Sequence, residues 1–176
     1  MKTYILLFRG INVGGNNIIK MKDLVRLLEH CGYSNPQSYI QSGNVVLRSR
    51  SKPADKIRNL IEQEFGFKPA LLAIEQSQFD SAVEQNPYET EEGKTVHFFF
   101  CASKPKTDDP RIEELKAADE SLLIRGSVAY LHAPSGIGRS KLAARLETLL
   151  AVPVTARNLN TIHRLQEIAK RTNEPR

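Results

Sequence analysis

The sequence contains no tryptophan, two cysteines and four histidines, and each shortage closes off a class of chemistry. Cys31 and Cys101 make neither a disulfide framework nor a zinc ligand set. A chain this poor in cysteine is expected in a reduced, cytoplasmic compartment. His30, His97, His132 and His163 are scattered, and neither H-x-E nor H-E-x-x-H occurs. No metal and no other cofactor is therefore expected. Neither cysteine has an activating neighbour, so no nucleophile–base pair can be named and no catalytic residue is assigned. No apolar run approaches the length needed to span a bilayer, and the N-terminus lacks a secretory-signal pattern. A membrane partner is not expected. Oligomeric state leaves no mark that the sequence alone reveals.

What is present fits an ordinary globular chain: 176 residues, 40% hydrophobic and 26% charged, long enough to bury a core without staples. The net charge of +5 is unevenly laid out. Residues 1–74 hold 11 Lys+Arg against 5 Asp+Glu, residues 75–138 hold 6 against 12, and residues 139–176 hold 8 against 3. Two basic segments flank an acidic middle. Such a layout serves a polyanionic partner or lets the segments attract one another within one fold. The basic parts lack interleaved aromatics, which favours the second reading.

Periodicity gives an element order. Tyr4–Phe8 reads as a buried strand, and Met21, Leu24, Val25, Leu28 and Cys31 fall at helical spacing. Asn35-Pro36 reads as a turn, and Ser38–Gln41 and Val45–Arg48 as a hairpin around Ser42-Gly43-Asn44. A helix with Ile57, Leu60, Ile61 and Phe65 inward ends at Gly66, and Ala70–Ile74 is a strand. Residues 77–86 predict a short connecting helix stopped by Pro87, and the charged stretch 89–94 a linker. The series then repeats: strand Thr95–Phe100, helix Pro110–Ala118, hairpin Leu122–Arg125/Val128–Leu131, helix Ser140–Leu150, strand Pro153–Ala156. A last helix carries Ile162, Leu165, Ile168 and Ala169 inward, with a loose tail beyond Arg171. The fold class is therefore α+β, a tandem of two ferredoxin-like βαββαβ halves with antiparallel sheets and a C-terminal helix. The expected divisions are a first half over 1–74, a connecting helix and linker over 75–94, a second half over 95–157, and a terminal helix and tail over 158–176.

Two glycine-containing loops carry the chemistry. Arg9-Gly10-Ile11-Asn12-Val13-Gly14-Gly15-Asn16-Asn17 joins the first strand to the first helix. Glycines permit close approach to the main chain, the following helix adds positive dipole, and Arg9 adds a cation. Together these suit an anion. The spacing fits neither named phosphate fingerprint, G-x-G-x-x-G or G-x-x-x-x-G-K-[ST], so a loop that merely turns the chain is the competing reading. The second loop, Gly136-Ile137-Gly138-Arg139-Ser140-Lys141, opens a helix that Ser140 can cap and sets two cations against its dipole. In a ferredoxin-like unit the first loop shares one end of the sheet with the hairpin containing Ser42, Gly43 and Asn44. The second loop shares an end of its own sheet with Arg157 and Asn158, where Asn158 or Asn160 can cap the last helix. The third strands lack the K/R-G-F/Y-G/A-F-V-x-F/Y signature of an RNA-recognition module.

The motifs Arg-Gly-Ile-Asn-Val-Gly-Gly (9–15), Tyr-Ile-Gln-Ser-Gly-Asn-Val-Val (39–46), Asn-Pro (86–87), Gly-Ile-Gly-Arg-Ser-Lys (136–141) and Thr-x-Arg-Asn-x-x-Thr (155–161) occur together and in order. In this the chain resembles the bacterial family known as domain of unknown function 1697. The resemblance spans nearly the whole chain. It implies two related α/β halves and a cytoplasmic protein; it implies no activity.

The leading expectation is a site for a phosphorylated or otherwise anionic small molecule. It would be built from Arg9, Gly10, Asn12, Gly14, Gly15, Ser42, Gly43, Asn44, Gly138, Ser140, Lys141, Arg157 and Asn158. Nucleic acid bound by the basic segments is a weaker alternative, with affinity falling steeply in salt. The third is that the motifs are structural and the protein works through a partner protein.

Overall fold

In the computed structural model, which describes residues 1–90 and 92–173, the strand and helix periods of the sequence resolve into two similar series. The first runs β1 (Lys2–Arg9), α1 (Met21–His30), β2 (Ser34–Tyr39), β3 (Asn44–Ser49), α2 (Ala54–Phe65) and β4 (Ala70–Glu75). After α3 (Gln76–Glu84) comes the second: β5 (Val96–Cys101), α4 (Arg111–Leu115), β6 (Ser121–Arg125), β7 (Val128–His132), α5 (Lys141–Leu150) and β8 (Val154–Asn158). The helix α6 (Leu159–Thr172) follows. Each series forms a four-stranded antiparallel sheet, in the orders β2-β3-β1-β4 and β6-β7-β5-β8. This is the ferredoxin-like order, once per half.

In the first sheet Tyr4, Leu6, Phe8, Val45 and Leu47 pack on one face with Leu24 and Leu28 of α1 and Ile57 and Ile61 of α2. Alternation sends Thr3, Ile5, Leu7 and Val46 to the other face. There Thr3 and Gln37 reach Asn173 and Thr172 at the end of α6. The expected loose tail beyond Arg171 is thus corrected for Thr172 and Asn173, which are tied down by these hydrogen bonds; the rest of it lies outside the described residues. In the second sheet Phe99, Cys101, Ala129 and Leu131 pack with Leu142, Leu146 and Leu149 of α5. On the opposite face Phe98 meets Tyr130 edge-to-face at 4.8 Å, and the buried Tyr130 hydroxyl donates to the Ala82 carbonyl at 2.7 Å.

Three local expectations change in this way. Asn35-Pro36 is not a turn but lies inside β2. That strand is at the sheet edge, where proline is tolerated, and its register shifts between Ser34 and Gln37, with Asn35 at φ 53°. The helix expected over Pro110–Ala118 stops at Leu115. Lys116 is extended, and the buried Glu120 carboxylate takes the Ala117 amide at 2.9 Å. The connecting helix ends at Glu84, after which Asn86 makes reciprocal hydrogen bonds with Tyr88. The compact units are Met1–Ser81 with Arg164–Arg176, and Ala82–His163. The bounds of these units fall within α3 and α6; in the charged stretch 89–94, Glu91 lies outside the described residues. Gly93 belongs to the second unit, where it is buried against the Asn160 side chain so closely that no Cβ fits.

Candidate functional site

β1 and β2 each pair antiparallel with β3, so they run in the same direction and end at the same edge of the first sheet. This brings the loop after Arg9 against the loop after Tyr39. The Phe8 amide donates to the Gly43 carbonyl at 2.8 Å. Gly43 stands at φ +91°, and a Cβ there would lie 2.7 Å from Phe8 Cβ and from Ile11 Cδ1. Only glycine fits. Asn12 ties the loops together: its Nδ2 donates to Ile19 O at 2.9 Å and Gln41 O at 2.8 Å, and its Oδ1 accepts from the Ile19 amide at 2.8 Å. Asn44 is fully buried and donates to Tyr39 O at 3.0 Å and to Ser42 Oγ at 3.3 Å.

Within the first loop the chain folds into a miniature hairpin. Val13 and Asn16 form a bridge, and Gly14 and Gly15 at the tip take φ of 58° and 76°, positive at both central positions as in a type I′ turn. The Asn12 amide donates to Asn17 O, and Asn17 Nδ2 returns to Gly10 O at 2.9 Å. Both glycines have open space around them. α1 begins only at Met21, so the glycines are a projecting tip and not the entry to the helix. Asn12 and Asn44, expected as ligand contacts, have side chains that bond loop carbonyls and Ser42 Oγ and so fix the loop pair.

Beside the exposed Asn16, Asn17, Gln41 and Ser42, this scaffold displays three large aliphatics. Val13, Ile18 and Ile40 are 65%, 59% and 49% exposed. Ile40 also has φ 51°, an outlier for a β-branched residue, at a cost of order 1–2 kcal/mol. The flanking charge is mainly basic, with Asp23 of α1 exposed beside Lys22. Arg9, Lys20 and Lys22 are exposed, and neither residues 1–22 nor residues 30–54 contain an Asp or Glu. Sequence periodicity does not find these three aliphatics, because exposure of a loop Val or Ile depends on where the loop turns.

The second group of expected residues is distributed differently. Ser140 is buried and caps α5, its Oγ accepting from the Ala143 amide at 2.9 Å. Asn158 caps α6, its Oδ1 accepting from the Thr161 amide at 3.0 Å. Gly138 is exposed in the 3₁₀ turn Ile137–Arg139. Arg157 stands opposite Phe98, while Val154 and Ala156 pack toward the helices. Alternation therefore puts Arg157 on the sheet face away from α5. Its Nη1 donates to the Ala156 carbonyl at 2.8 Å, and burial pulls the guanidinium down to about 10. Lys141 is exposed and lines a groove between α4 and α5. The end of the second sheet thus holds two helix caps, an arginine on the far face and a lysine in a groove.

Burial pushes the Cys101 thiol up to about 11 and lowers the pKa of His97, whose buried Nδ1 has no hydrogen-bond partner among the described residues. Neither is primed as a nucleophile or base at neutral pH. Among the described residues no group of three or more His, Cys, Asp or Glu is placed to hold a metal, and no helix is long and apolar enough to cross a membrane.

The model of the family described as Protein of unknown function (DUF1697) matches residues 1–130. The chain belongs to this family. The match takes in both loops at the end of the first sheet and runs to Tyr130 in β7; the motif 136–141 and Arg157 lie beyond it. No curated protein matches this DUF1697 chain. Among solved structures it is similar to the conserved bacterial protein SP0830 from Streptococcus pneumoniae. The TM-score is 0.71 at 24% identity, over 96% of this chain and 98% of that one. At that identity the likeness establishes the shared fold.

Proposed function

We propose that this DUF1697 protein is a binding protein whose recognition surface is the loop pair at the end of its first unit. It accepts a partner segment that carries acidic groups beside apolar ones. The observation behind this reading is Ile40, half exposed and in a left-handed backbone conformation. Strain of this kind persists where the surroundings over-determine it, and it gathers at functional sites. Here the Asn44 bond to the Tyr39 carbonyl before it, and the Asn12 bond to the Gln41 carbonyl after it, supply the constraint on either side. Exposed aliphatics at a loop end together with the exposed cations Arg9, Lys20 and Lys22 suit an acidic, apolar-anchored peptide.

This keeps the anionic ligand expected from Arg9, Gly14 and Gly15 and changes its size. Small molecules are held in concave sites, whereas Gly14 and Gly15 are surrounded by open space. The large exposed side chains are aliphatic and offer no stacking platform for bases, which favours a peptide over a nucleic acid.

Selection of displayed random peptides on the purified protein tests the reading. The expected winners pair Asp or Glu with a large apolar residue and lose binding to Val13→Asp and Arg9→Gln variants. Winners that bind those variants as tightly as the parent would place recognition elsewhere.

A further inference from the structure

The second unit carries a groove of about 370 Å³ between α4 and α5, unrelated in sequence to the loops of the first unit. Three cations line it: Arg111 from α4, and Lys141 and Arg145 from α5. Lys141 and Arg145 are four residues apart on one helix face, where like charges repel. Among the described residues neither makes an ion pair. Arg111 is held in place by Asp109, with Nε to Oδ1 at 3.0 Å and Nη2 to Oδ2 at 2.6 Å. Among the described residues Glu114 is the one carboxylate in the lining, and Leu115 and the buried Leu149 supply apolar surface. With Arg111 paired to Asp109, the groove keeps a net positive charge from Lys141 and Arg145 against Glu114, over an apolar wall and in a volume suited to a small ligand.

We infer that this groove binds a compact anionic small molecule, its phosphate or carboxylate between Lys141 and Arg145 and its apolar body against Leu115. A dianion would relieve the repulsion between the two cations, and Arg111, its Nε and Nη2 engaged by Asp109, would add the donors of its Nη1. The test is an NMR titration of the full chain with phenyl phosphate, benzoate and inorganic phosphate at matched ionic strength. Saturable shifts confined to α4 and α5 amides are expected with phenyl phosphate or benzoate, the tighter of the two naming the head group. Inorganic phosphate, lacking the apolar body, should bind more weakly than phenyl phosphate. The double variant Lys141→Gln/Arg145→Gln, altered only at exposed positions, should lose about tenfold or more in affinity. Shifts that do not saturate, or that saturate equally in the double variant with its spectrum otherwise unchanged, would overturn the assignment.

Discussion

The side-chain amide of Asn12 donates to the carbonyl of Gln41 at 2.8 Å, across 29 residues of sequence and next to the strained Ile40. That bond and the two between Asn12 and Ile19 make one side chain the tie between both loops. Asn12 itself has φ 55°, a conformation asparagine tolerates and alanine does not. Asn12→Ala is expected to cost about 3 kcal/mol, from stranded loop carbonyls plus backbone strain. Asn12→Gly should cost about 1 kcal/mol less, since it loses the bonds without the strain. Urea midpoints of the three proteins check both numbers; equal losses would show that the backbone angle contributes nothing.

Two glycines with positive φ separate strain from space. Gly43→Ala meets Phe8 and Ile11 at 2.7 Å, whereas Gly126→Ala, at φ +57°, has nothing within 4 Å. The first is expected to cost more than about 3 kcal/mol and the second about 1 kcal/mol. Denaturation of the pair, measured side by side, isolates the packing contribution.

Stability should depend on pH through His97. Burial lowers its pKa in the folded protein, so the folded state resists a proton that the unfolded chain accepts near its ordinary value. The unfolded state then binds more protons below about pH 6.5, and stability falls as pH drops through that value. The contribution is fully present above it. His97→Gln should flatten the slope between about pH 7.5 and about pH 5.5 in urea melts; an unchanged slope would assign it to other groups.

Thiol reactivity should distinguish the two cysteines. Cys101 is buried with its thiol pushed up to about 11, and Cys31 is half-buried near the end of α1. An aromatic disulfide reagent is expected to modify Cys31 in the native protein and Cys101 only at the rate of unfolding. Comparable rates for both would mean that β5 opens locally.

Much of the fold is legible in the sequence because its signals are local. Gly66 ends α2 with φ 78°, as its position predicts, and Leu142, Leu146 and Leu149 form the buried face of α5 that their spacing implies. The errors arise where tertiary partners decide. Pro36 sits in a strand because that strand is an edge, and α4 stops early because Glu120 takes up the Ala117 amide. The meeting of the first two motifs was readable from topology, but the use of their asparagines was not. Asn12 and Asn44 look alike whether they face a ligand or a carbonyl of their own loop. Ile40 carries no signal at all, since nothing in Tyr-Ile-Gln-Ser specifies a left-handed isoleucine.

That residue offers the most direct test. Ile40→Gly removes the strain and the exposed side chain together, and is expected to raise stability by about 1 kcal/mol, most of the left-handed penalty. The decisive measurement is a calorimetric titration of Ile40→Gly with a peptide selected on the parent protein. The account predicts a better-folded protein that binds about tenfold or more weakly, the loss of one well-packed aliphatic contact. Undiminished affinity in the stabilised variant would contradict the claim that the loop pair at the end of the first unit is the recognition surface.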